Sequence, residues 1–279
     1  MKSLGEIYQL SVQYLQQKGI ERSKFLIQQL LSHILDLSKL DLFMQFDRPL
    51  TEVELEKVRA SLALLGRGKP IEQIIGHVDF FGCKIHVTSD VLIPRPETEL
   101  LLDIVEREVT NCPNIVWDIC TGSGCIGISY KKSHPNSHVS LSDISFAALD
   151  VARQNAIGAG VSVEVLQGDL LLPFKGKRAD LIFCNPPYIS SDECSSLDES
   201  VRLYEPLLAL DGGADGLDFY RRLSMELPLY LNPSAKIYFE IGYNQAAAMF
   251  SLFSSPIWAK KRVIKDLAGH DRFFFLEIE

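Results

Sequence analysis

Val116-Trp117-Asp118-Ile119-Cys120-Thr121-Gly122-Ser123-Gly124-Cys125-Ile126-Gly127 is the stretch on which the fold turns. Its first residues suit a buried strand. The glycines that follow let the chain turn sharply and let a ligand approach the backbone. In an open parallel sheet, the first strand-to-helix turn lies at the crevice where ligands bind. Gly122, Gly124 and Gly127 also satisfy G-x-G-x-x-G, so this turn alone leaves a dinucleotide site open as an alternative.

Downstream, short apolar runs alternate with helical patterns. Expected strands are 115–119, 139–141, 163–166, 181–184 and 237–241, and a helix is expected over 146–156 with Ser145 as its N-cap. Such alternation predicts an α/β fold, a mostly parallel sheet with helices on both faces. Upstream, the period drops to two between about 76 and 94. There Val78, Phe80, Cys83, Ile85 and Val87 suit a strand pair turning near Gly82. Residues 1 to 70 read as helices. Ile27, Leu30, Leu31, Ile34 and Leu35 recur at the spacing of one buried face; Leu4, Tyr8 and Leu15 mark another, ending near Gly19. Thr51-x-x-Glu54 is a capping box ahead of the stripe Leu55, Val58, Leu62 and Leu65. Gly66-Arg67-Gly68-Lys69-Pro70 then breaks the pattern and marks a domain boundary.

The chain has 279 residues, 47% of them hydrophobic, enough for a core and against disorder. At about 150 residues per domain, this length suggests one large domain or two smaller ones. With 28 Lys and Arg against 36 Asp and Glu, the net charge of −8 argues against a general nucleic-acid binder. No apolar stretch approaches the roughly 20 residues of a membrane span. Met1-Lys2-Ser3-Leu4-Gly5-Glu6 has no apolar signal core, so a cytoplasmic protein is expected. Cys83, Cys112, Cys120, Cys125, Cys184 and Cys194 form no C-x-x-C pair and read as reduced thiols. Pro135 interrupts any helix that would align His134 with His138, so no metal site is expected. No heptad or exposed apolar helix calls for a second subunit, so a monomer is expected.

Asp143 follows the second strand of the alternating region, where a carboxylate can accept both hydrogen bonds of a ribose diol. That need is common to nicotinamide cofactors and S-adenosylmethionine. Asp169, after the third strand, could accept from an adenine amino group. The separating signal is Asn185-Pro186-Pro187-Tyr188, directly after an apolar strand. Two prolines fix φ and remove two N–H donors, leaving rigid carbonyls free to accept. The Asn185 side chain adds a second acceptor and Tyr188 a flat face, which together make a socket for a planar –NH2 group. An amide nitrogen is a poor nucleophile because its lone pair is delocalised. Gripping its hydrogens can turn that lone pair towards an electrophilic methyl, so catalysis is mostly orientation. No His or Cys base is needed.

These residues carry a resemblance. The chain resembles the class I S-adenosylmethionine-dependent methyltransferases and, within them, the protein-glutamine N5-methyltransferases that modify peptide chain release factors. The motifs are Leu92-Ile93-Pro94-Arg95-Pro96-Glu97-Thr98-Glu99, Asp118-Ile119-Cys120-Thr121-Gly122-Ser123-Gly124, Ser142-Asp143-Ile144-Ser145 and Asn185-Pro186-Pro187-Tyr188-Ile189. Further along stand Glu205-Pro206, Ala209-Leu210-Asp211-Gly212-Gly213-Ala214-Asp215-Gly216-Leu217 and Phe239-Glu240-Ile241-Gly242. The resemblance implies a Rossmann-like sheet of seven strands with an antiparallel last hairpin. It divides the chain into a helical substrate-docking domain at 1–70, a β-hairpin linker at 71–94 and a methyltransferase domain at 95–279. It implies that Cys120, Thr121, Gly122, Ser123 and Gly124 wrap the methionine part of S-adenosylmethionine. Asp143 would hold the ribose, and Asp169 and Leu170 would flank the adenine. Asn185 and the Pro186 carbonyl would hold the nitrogen of the glutamine in the release factor's Gly-Gly-Gln loop, beside the cofactor. Tyr188 would pack on the amide, and Pro187 and Arg95 would complete the substrate side. Arg95 could equally be held in the wall by an ion pair with Glu97. Two departures stand out: Cys120 replaces a common glycine, and Leu170 replaces an aromatic found in some relatives.

Rival readings use the same residues less completely. Glutamine methylation of a ribosomal protein would use the same socket, but Pro96-Glu97-Thr98 favours the release-factor group. A DNA adenine methylase would need a basic recognition surface. A nicotinamide-dependent dehydrogenase leaves the Asn185-Pro186-Pro187-Tyr188 segment without a role, and a binding module without catalysis leaves the socket unexplained.

Overall fold

A computed structural model describes residues 2–109 and 113–279; Cys112 lies outside the described residues. The chain forms two compact units, the first running to Gly76 and taking in Asp198–Tyr204. This unit contains α1 (Leu4–Gln17), α2 (Ser23–Leu35), α3 (Lys39–Met44), α4 (Glu52–Leu65) and α5 (Ile71–Ile75). The Thr51 side chain accepts from the Glu54 N–H while the Glu54 carboxylate accepts from the Thr51 N–H, which is the expected capping box at the start of α4. The expected faces close the core: Leu4, Leu15, Ile27, Leu30, Leu31, Leu55 and Val58 are buried together.

The second unit opens with a hairpin of β1 (His77–Phe80) and β2 (Cys83–His86). Phe81 and Gly82 between them both have positive φ, +44° and +70°, the two-residue turn whose twist suits a hairpin. There follow α6 (Pro96–Glu108), β3 (Ile115–Ile119), α7 (Cys125–Ser133), β4 (His138–Asp143), α8 (Phe146–Ala159), β5 (Glu164–Gln167) and β6 (Ala179–Cys184). The remainder is α9 (Ser191–Cys194), α10 (Glu199–Arg202, part of the first unit), α11 (Asp218–Glu226), β7 (Leu231–Glu240), α12 (Ala246–Leu252), β8 (Trp258–Lys265) and β9 (Asp271–Ile278).

The seven strands are ordered β5-β4-β3-β6-β7-β9-β8, all parallel except β9, which runs antiparallel to both neighbours. Successive side chains on a strand point to opposite faces. Val116, Leu181 and Phe183 therefore join one core layer, and Trp117, Ile119 and Ile182 the other. Both faces are buried, which is why these strands read as continuous apolar runs. The chain leaves β3 towards one edge of the sheet and returns at β6 to build the other. The carboxyl ends of these adjacent strands thus flank the switch point, where a crevice opens. Among the described residues, no helix is long and apolar enough to cross a membrane.

Candidate active site

Strand β3 delivers Ile119 to the crevice, and Cys120 then takes a left-handed φ of +57°. That conformation strains a residue carrying a Cβ, and it is the reason a glycine would be at ease there. Asp118 is fully buried. Its Oδ2 accepts from the Thr121 hydroxyl at 2.6 Å and from the Gly127 N–H at 2.9 Å. Burial pushes this carboxyl up to about 7, against the pull of those two donors. At Gly127 a Cβ would lie 2.3 Å from a Leu141 methyl and 3.0 Å from the Asp118 Cβ, so only glycine lets α7 close on the sheet.

Asp143 ends β4. Its Oδ2 accepts from the Gly122 N–H and its Oδ1 from the Ser145 N–H, both at 2.9 Å. Burial raises this carboxyl while the backbone donors oppose the rise. Each oxygen keeps capacity for a further donor such as a ribose hydroxyl. Beside it, Ser142 lies in the crevice wall, buried, and its Oγ has no hydrogen-bond partner among the described residues. A polar ligand would satisfy such an atom. At the far end Asp169 accepts from Arg222 Nη2 at 2.7 Å, and Leu170 is buried with a φ of +49°. Phe219 and Arg222, one helical turn apart on α11, both line the crevice. Acceptors at Asp143 and Asp169, with apolar Ile119, Leu170 and Phe219 in the same wall, suit a nucleoside such as that of S-adenosylmethionine.

Strand β6 ends at Cys184, and Asn185 follows it into the same crevice. Among the described residues, neither the Asn185 side chain nor the Pro186 carbonyl is engaged in a hydrogen bond. Residues 120–123, Asp143, Asp169, Leu170, Asn185, Pro187 and Arg95 share the crevice wall; Gly124, Pro186 and Tyr188 lie outside it. The Tyr188 hydroxyl donates instead to Glu240 Oε1 at 3.1 Å, and burial raises its pKa. Arg95 donates to Glu205 Oε1 at 2.6 Å, and Glu205 Oε2 accepts from the Ile93 N–H at 3.0 Å. Its ion pair is with Glu205 and not with Glu97, because the 205–206 turn folds back onto the 93–95 segment.

The glycine-rich segment near 212 braces the backbone that follows Tyr188. The Ile189 N–H donates to the Leu210 carbonyl, the Gly212 N–H to the Ile189 carbonyl and the Ser191 N–H to the Gly213 carbonyl, at 3.0, 2.8 and 2.9 Å. Gly216 has a φ of +75°, and a Cβ there would lie 2.3 Å from the Tyr188 carbonyl oxygen. Phe219 and Arg222 are wall residues that the sequence motifs do not include, and their i, i+3 spacing on α11 is the local signal that could have found them. Thr98 and Ser142, also in the wall, stand inside the quoted motifs but carry no role of their own there.

Residues 6–76 match the PrmC N-terminal domain family and residues 96–200 the Methyltransferase small domain family. The chain is 38% identical over 261 residues to the release factor glutamine methyltransferase of Geobacter sulfurreducens, covering 93% of this chain and 91% of that one. It is 38% identical over 280 residues to the Bacillus subtilis protein of the same name, covering 98% and 96%. Among solved structures, a methyltransferase from Pyrococcus furiosus shares the fold with a TM-score of 0.54 at 16% identity, over 82% of this chain and 98% of that chain.

Proposed function

The chain belongs to the release factor glutamine methyltransferases, and from that membership we propose that it methylates N5 of the glutamine in a release factor's Gly-Gly-Gln motif. S-adenosylmethionine supplies an electrophilic methyl group. Residues 120–124 wrap the methionine part, Asp143 accepts from the ribose, and Asp169 and Leu170 flank the adenine. The Asn185 side-chain oxygen and the Pro186 carbonyl accept the two amide hydrogens of the glutamine and turn its nitrogen towards the methyl. Pro187 and Tyr188 bound the amide, and Arg95 lines the substrate side. No side chain takes the proton before attack, since the nitrogen becomes acidic as it gains positive charge. The observation that supports this reading is that the Asn185 side chain, in the same crevice wall as Asp143, and the adjacent Pro186 carbonyl are both unengaged among the described residues.

Mass spectrometry of release factor incubated with the protein and labelled methyl donor tests the reading. One added methyl on the Gly-Gly-Gln glutamine is expected; an unlabelled release factor, or label on ribosomal protein alone, overturns it. The helical unit docks the release factor in this reading. A chain lacking residues 1–70 should still bind S-adenosylhomocysteine yet methylate intact release factor more slowly. Equal rates would assign docking elsewhere.

A further inference from the structure

The last strand residue before the Ile241-Gly242 turn is a carboxylate where its neighbours Tyr238, Phe239 and Ile241 are fully buried and largely apolar. Glu240 is itself only 2% exposed. Its Oε1 accepts from the Tyr188 hydroxyl at 3.1 Å and its Oε2 from the Thr98 hydroxyl at 2.7 Å. Its backbone carbonyl accepts from the buried Tyr220 hydroxyl at 2.6 Å. Three segments that otherwise have no common task therefore meet at one side chain: the start of α6, the socket turn and the end of β7. A buried carboxylate is a poor device for stability, because an apolar residue of similar size would avoid its desolvation. Burial indeed raises its pKa, with Thr98, Tyr188 and Arg272 opposing and Glu97 adding to the rise.

Tyr188 is held from its other end too. Gln245, 7% exposed, donates from Nε2 to the Tyr188 carbonyl at 2.9 Å and to the Gly216 carbonyl at 3.1 Å. Its Oε1 accepts from the Gly242 N–H at 2.8 Å, so the amide's orientation is set by the β7 turn. We infer that Glu240 and Gln245 are positioning residues that lock Tyr188 at hydroxyl and carbonyl, and through it hold Asn185 and Pro186 in the reactive geometry. The inference rests on the function proposed above. Glu240 acts through Tyr188 and Thr98 and touches no reacting atom.

Steady-state methylation of intact release factor tests this with Tyr188→Phe, Glu240→Leu, the double variant, Glu240→Gln and Gln245→Leu. Tyr188→Phe, Glu240→Leu and Gln245→Leu should each lower kcat about tenfold, the rate equivalent of one lost hydrogen bond. KM for S-adenosylmethionine should stay within about twofold, since only alignment is lost. The double variant should be no slower than the slower single one, because both changes remove the same contact. Glu240→Gln should recover most of the rate, as its amide oxygen can still accept from Tyr188. Losses that multiply in the double variant, or a KM that rises while kcat holds, overturn the inference. If Glu240→Leu does not fold, Tyr188→Phe decides: turnover equal to the parent's overturns it. Absence of turnover by the unaltered chain would instead sink the proposed function, and this inference with it.

Discussion

Asn185 is half-buried at the end of β6 with its side-chain amide bonded to no other described residue, which makes it a clean target. In the proposed reaction, Asn185→Ala would remove one of two acceptors and free the substrate nitrogen to rotate. Turnover should drop by about 100-fold or more, the scale of a misaligned reacting atom, with little change in cofactor affinity by calorimetry. Near-normal turnover would contradict the socket. Asp118 gives a test by pH. Burial holds its carboxyl near 7, against about 3.9 in an unfolded chain. Between those values the folded protein binds the extra proton, so this residue makes stability fall as pH rises through that window. In Asp118→Asn that fall is missing: urea midpoints should change less from pH 5 to pH 8 than in the parent. Equal changes would mean that the Asp118 carboxyl is not raised and is already ionised at pH 5. Asn185 and Asp143 are legible in sequence because each sits beside its own strand end. Arg222 and Phe219 are not, since nothing near them in the chain says that their faces line a crevice.

The glycine brace shows how an element can be specified by contact instead of propensity. Residues 209–217 read only as a motif, yet Gly216 must be glycine for two reasons at once, its φ of +75° and the Tyr188 carbonyl 2.3 Å from any Cβ. Gly216→Ala should therefore destabilise by roughly 2–4 kcal/mol, from left-handed strain plus overpacking, and slow methylation with it. Chemical denaturation and the methylation assay measure both; a stable, active variant would show that the brace yields. The capping box at Thr51 is readable because its partners are three residues apart. Strands β3 and β6 are readable because both faces are buried. Strand β8 is not: Lys260, Lys261, Arg262 and Lys265 line the sheet's edge, where charge guards against unwanted pairing and hides the apolar alternation.

At the level of the whole chain, the helical unit and the sheet unit each close their own core. Scanning calorimetry should resolve two transitions. S-adenosylhomocysteine at about 100 times its Kd should add some 2.7 kcal/mol to the unit that holds the crevice and leave the other transition where it was. A single transition that moves as a whole would mean that the two cores melt together. Strand–turn–helix at 116–127, the proline pair after β6 and the helical faces of 1–70 follow from residues close together in the chain, whose periodicity and backbone restrictions act locally. The pairing of Arg95 with Glu205 spans 110 positions, and that of Thr98 with Glu240 spans 142. Hydrophobic patterning says which face of an element is buried but not which distant element covers it, so partners like these exist only once the chain has closed on itself.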